Sequence, residues 1–185
     1  LVGGAAALVG VFGWRWMPAE TKYNLLCRTF EFNEKVSQFF YRPSRLAPEF
    51  PPSRISQRRV NGMIGIDTEL DRAAWTLSVG GLYGRVDDLV LTLDDIKALP
   101  RTEMITELKC IEGWSIIVQW AGVRFSDFAA KYLPNTTDGS RPDVAGSPEK
   151  LVPYVSLSTP DNGYFVGWDM PSVLHPQTLL AYKMN

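Results

Sequence analysis

The sequence predicts a mixed α+β domain that is rich in short β-strands. Runs of alternating apolar residues bounded by turn residues occur at 75–84, 89–93 and 154–168, as expected of paired strands. Apolar residues spaced three to four apart occur at 20–41 and 125–133, as expected of amphipathic helices. A chain of 185 residues is long enough for one such domain with a buried core.

The first predicted element is helical and covers residues 20–41, either as one helix or as two short ones. The segment that follows, residues 42–58, is predicted to be extended and irregular. Prolines remove backbone donors and restrict the dihedral angles that a helix needs, and this segment contains Pro43, Pro48, Pro51 and Pro52.

The next elements are predicted to be a hairpin and a short helix. Residues 75–84 and 89–93 are two strands around a turn that contains Gly and Asp. A helix is predicted at 94–100, and either Thr92 or Asp94 is able to cap its first turn.

The second half of the chain adds strands, a helix and a loop. A strand at 102–108 leads into Cys110, and residues 115–119 form a buried apolar stretch. The helix at 125–133 is followed by residues 134–150, whose Asn, Asp, Gly, Ser and Pro content predicts an exposed loop.

Composition excludes several classes of function. The net charge of -1 argues against a dedicated nucleic-acid binder and favours small, non-polymeric substrates. The chain contains two cysteines, Cys27 and Cys110, and one histidine, His175, which we interpret as structural. A zinc site rich in histidine and a haem held by two histidines are therefore excluded. Any redox metal must be held mainly by groups other than imidazole.

The N-terminus is apolar for about fourteen residues before Arg15. That length is short for a membrane span, which needs about 20 residues. Three interpretations remain open: an export signal, a short membrane tether with Trp14 and Trp16 near the interface, or a buried helix. We therefore predict an export signal or tether at 1–17 and one domain at 18–185.

Cys110 is the residue that points most directly to chemistry. A thiolate suits a soft or redox-active metal, although a free cysteine can equally be a small buried apolar residue. The run from Cys110 to Val123 resembles the molybdenum-ligating segment of the sulfite oxidase family, in particular the bacterial branch that includes the periplasmic methionine sulfoxide reductases. Residues 75–82, 91–100, 155–159 and 167–185 resemble further runs of that family, in the same order.

The resemblance implies a β-rich, sulfite-oxidase-like molybdopterin-binding domain that continues beyond Asn185. In this family, molybdenum is bound by two dithiolene sulfurs of molybdopterin, one protein thiolate and oxygen ligands. Cys110 is then the metal ligand and a catalytic residue. Glu112 is a candidate second catalytic residue near the metal, and its alternative interpretation is a solvated loop acid.

The resemblance also implies contacts to the molybdopterin. Ser44 and Arg45 match a cofactor-contacting segment best, Arg42 matches it less well, and Thr159 matches a pterin contact. The alternatives are arginines that solvate a proline-rich loop and an ordinary threonine at the end of a strand. Residues 41–50 differ from the patterns of sulfite oxidases and of sulfoxide reductases, so they leave the substrate undecided.

The function implied is that of a molybdopterin-dependent oxidoreductase. It transfers an oxygen atom and two electrons to or from a small sulfite-like or sulfoxide-like substrate. A separate electron-transfer partner, a haem protein or a quinone-linked membrane protein, exchanges the electrons. We expect a periplasmic protein exported by the twin-arginine pathway. The alternative is a non-catalytic binding or assembly module that keeps the fold without metal.

Overall fold

The computed structural model describes residues 13–42, 44–59, 71–110, 112–160 and 163–185. The chain divides into two compact units, Leu1–Arg42 and Pro43–Asn185. Most of the predicted export signal or tether, residues 1–12, lies outside the described residues.

The first unit contains one long helix, α1, which spans Ala19–Phe40 and confirms the helix predicted at 20–41. None of its residues is buried, and several aromatic side chains lie exposed on it. A hydrogen bond with Cys27, one turn away, raises the pKa of Tyr23. Charged residues interrupt its apolar positions along the whole length. Among the helices of the described residues, none is long and apolar enough to cross a membrane.

The second unit is built on three antiparallel sheets within the described residues. The largest has the strand order β3-β4-β7, and the other two are the hairpins β1-β2 and β5-β6. These hairpins confirm the strand pairs predicted near 75–93 and 154–168. The strands are β1 (Thr76–Val79), β2 (Leu89–Thr92), β3 (Arg101–Lys109), β4 (Ser115–Arg124), β5 (Tyr154–Ser158), β6 (Phe165–Asp169) and β7 (Leu179–Met184).

Short helices connect these strands. They are α2 (Leu93–Lys97), α3 (Phe125–Lys131) and α4 (Met170–Val173), with 3-10 turns at Pro52–Arg54 and Pro148–Lys150.

Of the two residues proposed to cap α2, Thr92 is the one that does so in the structure. The backbone N–H of Asp95 donates to the Thr92 hydroxyl at 3.2 Å, and the N–H of Thr92 donates to the Asp95 carboxylate at 2.8 Å. The bond from the Thr92 hydroxyl, together with that backbone bond, lowers the pKa of Asp95.

Among the described residues of the second unit, two apolar clusters form its core. The larger cluster joins α2, α3 and the end of β4, and its buried residues are Leu91, Ile96, Leu99, Val123 and Phe128. The smaller cluster lies around α4, and its buried residues are Leu151, Met170 and Val173. Burial of such side chains is the main favourable contribution to folding.

Gly122 is placed where β7 passes so close to β4 that a side chain does not fit. An added Cβ would overlap the carbonyl oxygen of Leu180 and lie 2.8 Å from the Cα of Ala181. Both contacts are backbone atoms, so β7 would have to move. We therefore expect Gly122→Ala to lower the free energy of unfolding by about 1–3 kcal/mol, measured by urea denaturation.

Gly167→Ala is the matched control, because Gly167 also lies in a strand and no heavy atom lies within 4 Å of an added Cβ there. We expect this control to change the free energy of unfolding by less than about 0.5 kcal/mol. Equal effects of the two substitutions would contradict the close approach of β7 to Gly122.

Candidate active site

Cys110 opens the tight turn that joins β3 to β4. The N–H of Cys110 donates to the carbonyl of Trp114 at 2.9 Å, and the N–H of Gly113 donates to the carbonyl of Cys110 at 3.0 Å. Gly113 has φ = 87°, a left-handed conformation that glycine adopts at little cost. These bonds and the left-handed Gly113 are typical of a hairpin turn with a glycine bulge. The hairpin register therefore fixes the position of Cys110.

The thiol of Cys110 is half-buried and is not part of a disulfide. Side chains alternate between the two faces of a strand. Continuing the β3-β4 register places Cys110 on the same face as Leu108, Ile116 and the fully buried Val118. The turn therefore presents a partly shielded sulfur at the end of an apolar face.

Glu112 and Trp114 accompany Cys110 in this turn. The indole Nε1–H of Trp114 donates to Oε2 of Glu112 at 2.9 Å. The guanidinium carbon of Arg59 lies 4.7 Å from the centroid of the Trp114 ring, within the range of a cation–π contact. The indole thus lies between a cation and a carboxylate, and it orients the acid that the sequence predicted near the metal.

Residues 50–59, which we call the clamp segment, are tied to both strands of the hairpin. The N–H of Phe50 donates to the carbonyl of Ile105 in β3 at 2.9 Å. On β4, the N–H of Ser56 donates to the carbonyl of Ile117 at 2.9 Å, and the N–H of Ile117 donates to the Ser56 hydroxyl at 3.3 Å. These bonds position Arg59, three residues beyond Ser56, for its contact with Trp114.

The other predicted site residues lie on different segments. Arg42 ends the first unit, and its guanidinium donates to the carbonyls of Phe39 at 2.7 Å and Tyr41 at 3.0 Å. Ser44 and Arg45 lie exposed near the start of the second unit. The structure therefore joins Glu112 to the Cys110 turn, whereas the roles of Arg42, Ser44 and Arg45 in cofactor binding stay predictions.

Thr159 lies at the end of β5, in the turn to β6. Its hydroxyl accepts a hydrogen bond from the N–H of Tyr164 at 3.0 Å, and its own N–H donates to the carbonyl of Tyr164 at 2.9 Å. These bonds close the hairpin, so Thr159 has a structural role at this position. Its predicted contact with the pterin stays a prediction.

The donor set suits a metal that brings most of its own ligands. In the part of the chain that the structure describes, no group of three or more His, Cys, Asp or Glu side chains is arranged to hold a metal ion. Cys110 supplies one half-buried thiol at a fixed turn. A molybdenum whose remaining ligands come from molybdopterin and oxygen therefore fits Cys110.

A cavity of about 550 Å³ lies elsewhere in the second unit, beside β1, β5 and α3. Its lining is mostly apolar and includes Phe125, Phe128 and Tyr132 together with the polar residues Ser78 and Asn135. None of the predicted site residues lines this cavity.

Sequence reasoning missed Arg59. Nothing in its neighbourhood distinguishes it from the adjacent Arg58, and its contact with Trp114 depends on how the clamp segment crosses the hairpin. The only local signal was the proline-rich composition before it, which predicted an extended segment without indicating what that segment contacts.

Comparison with known proteins gives one family and several relatives. Residues 64–185 match the family described as the oxidoreductase molybdopterin binding domain. The chain is 34% identical over 157 residues to a putative protein-methionine-sulfoxide reductase subunit YedZ1 of Azospira oryzae, covering 83% of this chain and 53% of that protein.

Two further relatives are similar over shorter regions. The protein-methionine-sulfoxide reductase catalytic subunit MsrP of Xanthomonas axonopodis pv. citri is 34% identical over 121 residues, covering 60% of this chain and 34% of that protein. The oxidoreductase YuiH of Bacillus subtilis is 33% identical over 117 residues, covering 62% of this chain and 50% of that protein. The chain thus spans about half or less of these relatives. The resemblance carried by the Cys110 run is confirmed, and the chain belongs to the oxidoreductase molybdopterin-binding domain family.

Proposed function

We propose that the protein is a molybdopterin-dependent oxidoreductase that reduces methionine sulfoxide side chains of proteins. The observation that carries the proposal is the Cys110 turn, which contains one half-buried thiol and a carboxylate that is held by a hydrogen bond from Trp114. The family match and the printed names of the relatives in Azospira and Xanthomonas support the reaction and the substrate.

The reaction consumes two electrons and two protons for each sulfoxide. The sulfur–oxygen bond breaks, the sulfoxide becomes a thioether, and its oxygen leaves as water. When bound, the molybdenum-molybdopterin group supplies the two-electron chemistry of oxygen-atom transfer. The chain itself supplies the Cys110 thiolate as a metal ligand, because a nearby cation keeps a thiol ionised.

Glu112 is suited to handle the protons of this reaction. Its side chain is exposed, and it lies two residues from Cys110 in the same turn. The Trp114 indole N–H restrains the carboxylate through Oε2.

The electrons come from a separate partner, which we propose to be a haem or quinone-linked membrane protein. The printed names of relatives as subunits and catalytic subunits are in keeping with such an assembly. We further propose a periplasmic location, reached by twin-arginine export, with residues 1–17 as a retained tether. Trp14 and Trp16 are exposed by 40% and 83%, as suits side chains at a membrane interface.

The test uses the full-length native protein from a host that makes molybdenum cofactor. We expect roughly one molybdenum per chain, as one thiolate ligand implies. With reduced viologen as the donor, two viologens should be oxidised for each peptide methionine sulfoxide consumed. Reduction of ferricyanide by sulfite tests the opposite direction, in which the substrate is oxidised. Metal-free, inactive protein would instead favour the non-catalytic module, and active protein only in the cytosol would contradict export.

A further inference from the structure

Arg59, Trp114 and Glu112 are joined by two consecutive contacts at the Cys110 turn. The Arg59 guanidinium carbon lies 4.7 Å from the Trp114 ring centroid, and the Trp114 indole donates to Glu112 at 2.9 Å. Arg59 and Glu112 are exposed, whereas Trp114 is half-buried. The Trp114 ring is therefore the more restrained of the three side chains, and the charged groups of Arg59 and Glu112 contact it.

The contacts support one another electrostatically. A guanidinium is planar and stacks on an indole face, where the ring quadrupole attracts it. The cation draws electron density from the ring, which makes the indole N–H a better donor. A hydrogen bond from that N–H to a carboxylate is charge-assisted and directional. The position of the arginine thus influences the orientation of the carboxylate without touching it.

The clamp segment fixes the backbone that leads to Arg59. Ser56 makes two hydrogen bonds with Ile117 of β4, and its carbonyl accepts a bond from the side-chain amide of Asn185 at 3.4 Å. The arginine is thus delivered from a segment anchored to the same hairpin that carries Cys110.

We propose that Arg59 is a positioning residue for the Cys110 turn, acting through the Trp114 indole to hold the Glu112 carboxylate in its orientation. The inference rests on the proposed function and deepens it, because it assigns control of the acid in the turn of the proposed metal ligand to a residue outside that turn. The arrangement itself is a property of the protein chain and can be observed without metal.

The experiment records the indole N–H resonance of Trp114 by nitrogen-15 NMR in the full native protein, assigned by its loss in Trp114→Phe. We expect Arg59→Gln to shift this resonance and to speed its hydrogen exchange about 2–5-fold, as loss of an exposed cation–π contact implies. Arg59→Lys should restore most of the wild-type signal. Arg58→Gln, the matched control, should change neither the resonance nor its exchange.

Glu112→Gln should shift the same resonance, because the carboxylate is replaced by a neutral acceptor. In the molybdenum-loaded protein, Arg59→Gln should lower kcat several-fold, with KM little changed, and Arg59→Lys should recover it. A resonance that responds alike to Arg59→Gln and Arg58→Gln would overturn the inference while leaving metal binding at Cys110 intact. Loss of the proposed function would appear differently, as absent molybdenum in every variant with the NMR response preserved.

Discussion

Replacing Cys110 with serine is expected to abolish turnover and to remove the cysteine-to-metal charge-transfer absorption of the molybdenum-loaded protein. A serine hydroxyl has nearly the same size but is a hard, weakly acidic ligand that does not replace a thiolate. Residues that merely support a metal ligand contribute roughly 10–100-fold to affinity or activity. Loss of the ligand itself should therefore lower kcat by more than about 100-fold.

The fold should survive this substitution. Cys110 is half-buried, and the bonds that shape its turn are backbone bonds to Trp114 and from Gly113. We expect the free energy of unfolding of Cys110→Ser to change by less than about 1 kcal/mol. Cys27→Ser is the control for loss of a thiol, and it should keep both the absorption and the activity. Unchanged absorption in Cys110→Ser would show that the metal is held elsewhere.

Much of the fold could be predicted because its signals are local. Alternating apolar residues on both sides of a turn predict the two hairpins. Apolar residues spaced three to four apart predict α1. A cap on α2 was predictable with Thr92 and Asp94 as alternatives, and the structure selects Thr92 through the reciprocal bonds of a capping box with Asp95. Each of these features depends on residues within a few positions of one another.

The remaining features depend on contacts between distant segments. The pairing of β4 with β7 joins residues about 60 apart, and its irregular register at Gly122 follows from the approach of Leu180. No periodicity in either segment specifies that approach. Closing such long loops costs conformational entropy, which is offset only by packing that the sequence pattern does not show.

The candidate site also combines residues that a local sequence pattern indicates with a residue that is brought in by a distant segment. Cys110 and Glu112 could be named together from the sequence because one short run carries them both. The structure adds the bond from Trp114 to Glu112, and the roles of both residues at a metal stay predictions. Arg59 was not predictable, because its role arises from the clamp segment. For Thr159 the structure shows a bond that closes its own hairpin, and its contact with the pterin stays a prediction.

Phe128→Ala is expected to have the largest effect on stability among the substitutions considered. Phe128 is only 5% exposed and packs with Leu91, Ile96, Leu99 and Val123. Its ring centroid lies 4.9 Å from that of Tyr132. Removing a buried phenyl ring loses the transfer free energy and leaves a cavity, at a cost of about 3–5 kcal/mol. A domain is typically stable by about 5–15 kcal/mol, so this loss is a large fraction of the total.

Phe165→Ala is the matched control, because it removes the same side chain from an exposed position. Phe165 lies in β6 and is 77% exposed, so the same atoms are removed without opening a cavity. We expect its free energy of unfolding to change by less than about 0.5 kcal/mol. In urea, Phe128→Ala should lower the midpoint strongly with little change in slope, whereas Phe165→Ala should follow the wild type. Similar midpoints for the two variants would mean that α3 does not pack on the strands as the structure shows, because only packing distinguishes the two rings.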